Sequence, residues 1–291
     1  MAQNNTPTTN YTFDAQALKE LFNPEGSKLR KTQLELLEIL VDLAEICDQN
    51  NIQWWLSSGT LLGAARHKGF IPWDDDIDIV MLRKDAKRLE KILHKMDSDK
   101  YVYQSMKSDV EYVNAFGKFR KREGEVEITQ GRYKYLNYKG LFVDIFRIEK
   151  TSYAIARIAR AIYWNLQYPT IKIKWRWLRH LLIRSVEIFS FCFLLPILRL
   201  IGKINPKGEY HYNLGMGWYR STYFAQDIFP LSTIEFEGHT FPAPKNVDKY
   251  LQGVYGDWRK IPNIEEICKA VHSETLAEQF SKIDQQGNKT E

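Results

Sequence analysis

A chain of 291 residues can bury a sizeable core, and its composition suits one α/β domain with a helical insert or subdomain. The formal net charge of +5 is a mild excess that favours anionic partners; without a recognition motif it argues against nucleic-acid processing. Cys47, Cys192 and Cys268 lie far apart with no metal-type spacing, which fits reduced thiols in a cytosolic compartment.

Residues 1 to 10 are polar and lack the apolar stretch of a secretory signal, so 1–29 reads as an N-terminal tail, disordered in part. From Leu34 to Asn50, the residues Leu36, Ile39, Leu40, Leu43 and Cys47 form the apolar stripe of an amphipathic helix that ends at Asn50-Asn51. Ile52 to Leu56 follows as a short strand and Thr60 to Arg66 as a short helix, joined by a turn of Ser57, Ser58 and Gly59. A Gly-containing turn at a helix N-terminus offers free backbone N–H groups and a partial positive charge, which together suit a phosphate. Ser58, Gly59 and Thr60 are therefore candidate phosphate contacts. Arg66 and Lys68 stand close by as fixed cations, with His67 as a titratable neighbour.

The stretch Trp73-Asp74-Asp75-Asp76-Ile77-Asp78-Ile79-Val80 carries the strongest chemical signal. If Asp76 to Met81 is a strand, Asp76, Asp78 and Val80 share one face while Ile77, Ile79 and Met81 pack on the other. Carboxylates about 7 Å apart on one strand repel each other at the edge of an apolar core unless a cation sits between them. Oxygen-only ligands suit a hard divalent ion, Mg²⁺ or Mn²⁺. The alternative is a solvated acidic loop. Asp74 and Asp75 read as supporting or capping groups, although a slip in strand register would bring Asp75 into the site, and Arg66 could anchor it.

Beyond the acidic block, Asp85 to Met96 reads as a helix, and Tyr101 to Gln104 and Ala115 to Arg122 as strands. Lys118, Arg120, Lys121 and Arg122 on the latter either meet substrate phosphates or guard an exposed sheet edge. Glu123 to Leu136 reads as a loop or hairpin beside the site. Gly140 to Phe146 is almost wholly apolar, a buried strand in which an unpaired ionised Asp144 would be very costly. Asp144 therefore needs a partner: a metal shared with Asp76 and Asp78, or a salt bridge with Arg147 or another cation.

In Lys172 to Lys203, basic residues precede the apolar run Ser185 to Ile201. Glu187 and Arg199 would each cost about 2.5–3.5 kcal/mol near the centre of a membrane span, which argues against one. Helical geometry instead places Arg176, His180, Arg184 and Glu187 on one face and Trp175, Leu178, Leu182, Val186, Phe189 and Phe193 on the other. Such a helix lies on an anionic membrane surface or packs its stripe into a subdomain core. Near the C-terminus, Tyr255, Asp257 and Trp258 either close over a nucleotide or form a structural turn. His94, His180, His211, His239 and His272 show no ligand or triad spacing.

The order strand, Ser-Gly turn, short helix, Asp-x-Asp strand resembles the nucleotidyltransferase (polymerase-β-like) fold. Ser58-Gly59-Thr60-Leu61-Leu62-Gly63, followed by Phe70-Ile71-Pro72-Trp73-Asp74-Asp75-Asp76-Ile77-Asp78, is similar to the LicD family. Phe142-Val143-Asp144-Ile145-Phe146, Phe241-Pro242-Ala243-Pro244, Tyr250-Leu251 and Tyr255-Gly256-Asp257-Trp258 follow in family order. The resemblance covers residues 30 to 262, with 152–212 the least well matched.

The resemblance implies an α+β core sheet with flanking helices: a catalytic core at 30–150, a basic, aromatic helical insert at 151–212, and residues 213–291 completing the domain. It also implies a metal-dependent phosphotransferase. Phosphocholine or a similar phospho-alcohol would pass from a CDP-alcohol donor to a hydroxyl of a bacterial surface glycan such as lipopolysaccharide, teichoic acid or capsule. Asp76, Asp78 and Asp144 would hold Mg²⁺ or Mn²⁺, while Ser58, Gly59, Thr60, Arg66, Lys68, Asp75, Lys118, Tyr255 and Asp257 would bind substrate. A lipid-linked acceptor would place the enzyme on the cytoplasmic face of the membrane. A nucleotidyltransferase acting on a nucleoside triphosphate and a non-catalytic membrane-associated scaffold are the alternatives.

Overall fold

The computed structural model describes residues 15–125, 134–204, 207–217, 220–262 and 267. Residues 1–14 of the expected tail, 126–133 of the expected loop or hairpin, Cys268 and His272 lie outside the described residues. A short helix α1 (Ala15–Phe22) leads into α2 (Lys28–Gln49). Ser27 caps α2 by accepting the Arg30 N–H at 3.0 Å, which starts the helix ahead of the expected Leu34. The expected stripe of Leu36, Ile39, Leu40, Leu43 and Cys47 is buried, and α2 packs on the sheet.

The sheet contains β1 (Trp55–Leu56), β2 (Asp78–Leu82), β3 (Tyr101–Gln104), β4 (Gly117–Lys121) and β5 (Phe142–Lys150), in the order β1-β2-β5-β4-β3. β6 (Glu209–Tyr212) pairs with the far end of β5, and β7 (Tyr223–Phe224) pairs with β6. Among the described strands only β2 and β5 run parallel. Between them the chain passes through α4 (Arg83–Lys95), which packs on β2, β3 and β5. α3 (Ser58–His67) joins β1 to the acidic block. The mixed sheet with flanking helices is an α+β architecture compatible with a nucleotidyltransferase-like core. After the helical insert come α8 (Ala225–Ile228), the hairpin β8 (Ser232–Phe236) and β9 (His239–Ala243), and α9 (Val247–Tyr255).

Two expectations are corrected. β2 begins at Asp78 rather than Asp76, because the Asp74 N–H bonds the Ile71 carbonyl at 3.0 Å and Gln33 Nε2 holds the Asp74 carbonyl at 2.8 Å. Asp76 therefore sits in an irregular approach and not on the strand face. β4 is no exposed edge: it lies between β3 and β5, with Lys118 and Arg120 buried. Arg120 donates to the Tyr138 carbonyl at 2.6 Å, Lys121 pairs with Glu35 at 2.9 Å, and Arg122 bonds the Ser98 carbonyl at 2.7 Å.

One close approach holds the acidic block against α3. A Cβ on Gly63 would stand 2.5 Å from the Gly69 carbonyl oxygen and 2.9 Å from the Ile71 nitrogen. Gly63→Ala should destabilise the protein by about 1–3 kcal/mol, since only backbone can yield there. Gly253 inside α9 meets only the Thr222 carbonyl, at 3.7 Å, so Gly253→Ala should stabilise by about 0.5–1 kcal/mol. Urea denaturation of both variants checks the pair; a neutral Gly63→Ala would show that the acidic block is free to move.

The insert is helical: α5 (Tyr153–Thr170), then α6 (Arg176–Ile188), which runs through a π-helical turn (Phe189–Leu194) into α7 (Leu195–Gly202). Ala156, Ala159, Leu195, Leu198 and Leu214 make a small core of their own beside the main one.

Candidate active site

β2 starts with Asp78, and β5 carries Asp144 at the directly opposed register position. In a parallel pair those side chains share a face of the sheet. The Asp144 N–H donates to the Ile77 carbonyl at 2.8 Å, and the Asp78 N–H donates to Thr60 Oγ1 at 2.8 Å. The Asp78 carbonyl accepts the Ser57 N–H at 3.1 Å. Asp78 is thus tied to the start of α3 on both sides of its peptide unit, so the expected phosphate turn and the carboxylates form one assembly.

Ser58 and Gly59 belong to the first turn of α3 rather than to a preceding loop. Ser58 has φ +47°, a left-handed conformation that costs a non-glycine residue about 1–3 kcal/mol. Its hydroxyl bonds Asp78 and lowers that carboxyl's pKa. A Cβ on Gly59 would stand 2.6 Å from Asp74 Oδ2, so only glycine lets the acidic loop approach this closely.

Charge at the site is uneven. Burial, then the neighbouring Asp76 and Asp144, push the Asp78 carboxyl well above the ordinary carboxylate range. Burial, then Asp76, Asp78 and Asp75, do the same to Asp74. Burial also raises Asp144, although Lys118 Nζ stands 2.6 Å from its Oδ1. Lys118 lies opposite Asp144 on β4 and is pushed down by its own burial despite that partner. Arg147 is committed elsewhere, to Glu90 at 3.1 Å and the Tyr103 hydroxyl at 2.9 Å. The cation that answers Asp144 is therefore Lys118.

Among the described residues no three His, Cys, Asp or Glu side chains are already drawn into a metal-holding cluster. What fits a divalent cation is the donor chemistry: mutually repelling carboxylates, all oxygen donors, with Asp78 and Asp144 buried and Asp144 answered by Lys118.

Beside the carboxylates lies a cavity of about 500 Å³, lined by Gly59, Arg66, Trp73, Asp74 and Asp75 on one side and by Tyr255, Asp257 and Trp258 on the other. Arg66 Nη1 reaches the carbonyls of Trp258 at 3.4 Å and Lys260 at 3.3 Å, closing one end of this cavity. Burial, followed by Asp78 and Asp74, raises the Tyr255 hydroxyl far above its usual value, which keeps it protonated as a donor near the carboxylates. Lys68 is placed elsewhere, exposed and paired with Glu235 of β8 at 3.4 Å.

Sequence reasoning passed over a group of buried tyrosines behind the site. Tyr212 Oη accepts from Tyr223 Oη at 3.1 Å, and Tyr250 Oη lies 2.9 Å from Ser57 Oγ. Burial raises Tyr212, Ser58 and Ser57 bond its hydroxyl, and Asp78 is close enough to raise it further. The sequence signals were the Tyr250-Leu251 motif and the alternation of Tyr210, His211 and Tyr212 along a short strand.

His67 has a structural rather than chemical setting. Burial, then the Arg66 charge, push its imidazole down to about 4 from an ordinary 6.5. Between those values the unfolded chain binds the proton first, so stability should fall as pH drops from 6.5 towards 4. His67→Leu should flatten that slope in denaturation curves recorded at several pH values; an unchanged slope would refute the assignment.

Residues 51–184, from just before β1 into α6, match the family model described as LicD/FKTN/FKRP, nucleotidyltransferase domain. The chain is LicD-like. It is 27% identical over 260 residues to a Haemophilus influenzae protein named lipopolysaccharide cholinephosphotransferase LicD, covering 82% of this chain and 94% of that one. A Rickettsia prowazekii protein, RP689, is 48% identical over 63 residues, 22% of this chain and 24% of its own. The mouse ribitol 5-phosphate transferase FKRP is 38% identical over 47 residues, 16% of this chain and 10% of its own.

Proposed function

We propose that this LicD-like chain is a phosphotransferase that moves a phospho-alcohol group, phosphocholine or a close analogue, from a CDP-activated donor to a hydroxyl of a cell-surface glycan. The observation that carries the reading is the opposed pair Asp78 and Asp144 on parallel strands, with Asp78 stitched to the start of α3. The name of the Haemophilus influenzae relative, which aligns over most of this chain, supports the phosphocholine and glycan parts.

Asp76, Asp78 and Asp144 would hold Mg²⁺ or Mn²⁺. A bound ion supplies charge neutralisation for the transferring phosphoryl and leaving groups. The backbone N–H groups of Gly59 and Thr60 would meet the donor phosphates, with the Ser58 hydroxyl beside them on Asp78. The rest of the donor occupies the neighbouring cavity between Arg66 and Tyr255, whose protonated hydroxyl donates to a phosphate oxygen. Lys118 fixes the Asp144 carboxylate, and Asp144 takes the acceptor hydroxyl's proton. The acceptor oxygen bonds to the distal phosphorus as the bond from that phosphorus to the bridging oxygen breaks, and CMP leaves with that oxygen. A lipid-linked acceptor would be met at the cytoplasmic face of the membrane.

The test is incubation of the purified protein and Mg²⁺ with CDP-choline, CDP-ribitol, CDP-glycerol and CTP separately, followed by mass spectrometry. CMP released from one CDP-alcohol, and lost with EDTA or in Asp76→Asn, is the expected result. Pyrophosphate from CTP alone would replace this reading with nucleotidyl transfer.

A further inference from the structure

The helical insert is amphipathic in the reverse of the usual sense. Inward positions of the continuous helix α6–α7 are Arg179, Ile183, Glu187, Ser190, Leu195, Leu198 and Gly202. Their spacing is three or four residues except for the five from Ser190 to Leu195, which the π-helical turn absorbs. The charged members of this face are used up inside the protein. Arg179 pairs with Glu111 at 2.6 Å and Arg184 with Glu187 at 2.8 Å, and His180 Nε2 lies 2.9 Å from Glu111 Oε1.

The apolar face points outward. Trp175 and Trp177 are 67% and 69% exposed, Phe193 61%, Ile197 57% and Leu200 63%. The subdomain-core alternative for this helix is corrected, since its apolar side does not pack into the protein core, and His180 and Arg184 of the expected basic face are held by Glu111 and Glu187. Cations remain at the rims instead: Lys172 and Lys174 before the helix, Arg176 at its first position, and Lys203 and Lys207 after it, are all exposed. Between residues 151 and 208 the only acidic residue is the buried Glu187.

Arg176–Gly202 is long and apolar enough to cross a membrane. It is, however, fastened along its whole length: Arg179 to Glu111 near one end, and Arg199 to Glu149 of β5 at 2.8 Å near the other. A crossing helix would drag these ion pairs and the end of the sheet into hydrocarbon, where unsatisfied backbone and charge are expensive. A second copy of the chain is the other possible cover, but stacking this face on itself brings the two basic rims together with no acidic group between them.

We propose that the outward face of α6–α7 lies in the plane of an anionic bilayer surface, with Trp175 and Trp177 at the headgroup boundary and the flanking lysines on lipid phosphates. This deepens the membrane placement in the proposed function and rests on none of its chemistry.

The experiment is flotation of the full chain with phosphatidylcholine vesicles, with and without phosphatidylglycerol. Wild type should float about tenfold or more better on the anionic vesicles, as several lysines at the surface require. Phe193→Asp combined with Ile197→Asp should stay in the soluble fraction, with an unchanged melting temperature because both side chains already face outward. Asp76→Asn should float like wild type, so failed chemistry and failed docking are read separately. Wild type that does not float, a double variant that still does, or equal binding to neutral vesicles would overturn the proposal. So would a concentration-dependent dimer that the double substitution dissolves, which would assign the face to a second copy.

Discussion

Asp78→Asn is expected to lower transfer by at least about 100-fold while leaving the fold as stable as wild type or more so. Asn keeps the size of the side chain and the backbone bonds to Thr60 and Ser57. It removes a charge that burial, Asp76 and Asp144 all oppose. Relief of that repulsion is worth about 0.5–2 kcal/mol where sites trade stability for activity. The sign with pH is definite. The folded-state pKa of Asp78 lies above its ordinary 3.8, so the wild type loses stability as pH rises through that range. The advantage of the Asn variant should therefore be absent in acid and grow towards neutrality. Thermal melts in EDTA at several pH values, set beside CMP release in Mg²⁺, test both halves. An active Asp78→Asn would remove Asp78 from the reaction.

Lys118→Met should behave in the opposite way. Lys118 is buried, bonded to Asp144 and seated 3.3 Å from the centre of the Phe142 ring. Removing one partner of a buried pair costs about 3–5 kcal/mol, because the other charge is left uncompensated. In EDTA the variant should melt well below wild type. If Asp144 shares a divalent ion with Asp78, Mg²⁺ should return part of the loss, about 2.7 kcal/mol at a hundredfold excess over Kd. Superimposed melting curves in Mg²⁺ and EDTA would show that Asp144 binds no ion and serves Lys118 alone.

The carboxylates were legible in the sequence because their surroundings are so apolar. Ile77, Ile79 and Val80 around Asp78, and Val143 and Ile145 around Asp144, mark strands in which an aspartate needs a reason. The partner of Asp144 was not legible. It depends on the register of β4 against β5, which sets Lys118 opposite Asp144, and no local pattern encodes that register. A run of cations on a short strand looks the same whether the strand is central or at an edge, so Lys118 and Arg120 gave no sign of their burial. Lys68 was misleading for a related reason: chain proximity to the acidic block says nothing of direction, and the left-handed turn at Lys68 (φ +55°) sends it to β8. The two faces of α6 were readable from helical periodicity, but periodicity cannot tell which face turns inward. Glu111, a distant residue that receives Arg179, decides it.

The cavity beside the carboxylates has a wall from each end of the chain. One wall is α3 with the acidic loop; the other is the end of α9 and the residues after it, joined by Arg66 to carbonyls 192 and 194 positions away. The reactive wall is pinned by backbone bonds to the sheet, whereas Tyr255 ends α9 and Asp257 and Trp258 follow the positive-φ Gly256. On the proposed function, bond-making and cargo selection would thus fall to separate stretches of sequence. On that same reading, substitutions in the C-terminal stretch should change which alcohol is accepted while leaving Asp76, Asp78 and Asp144 in place.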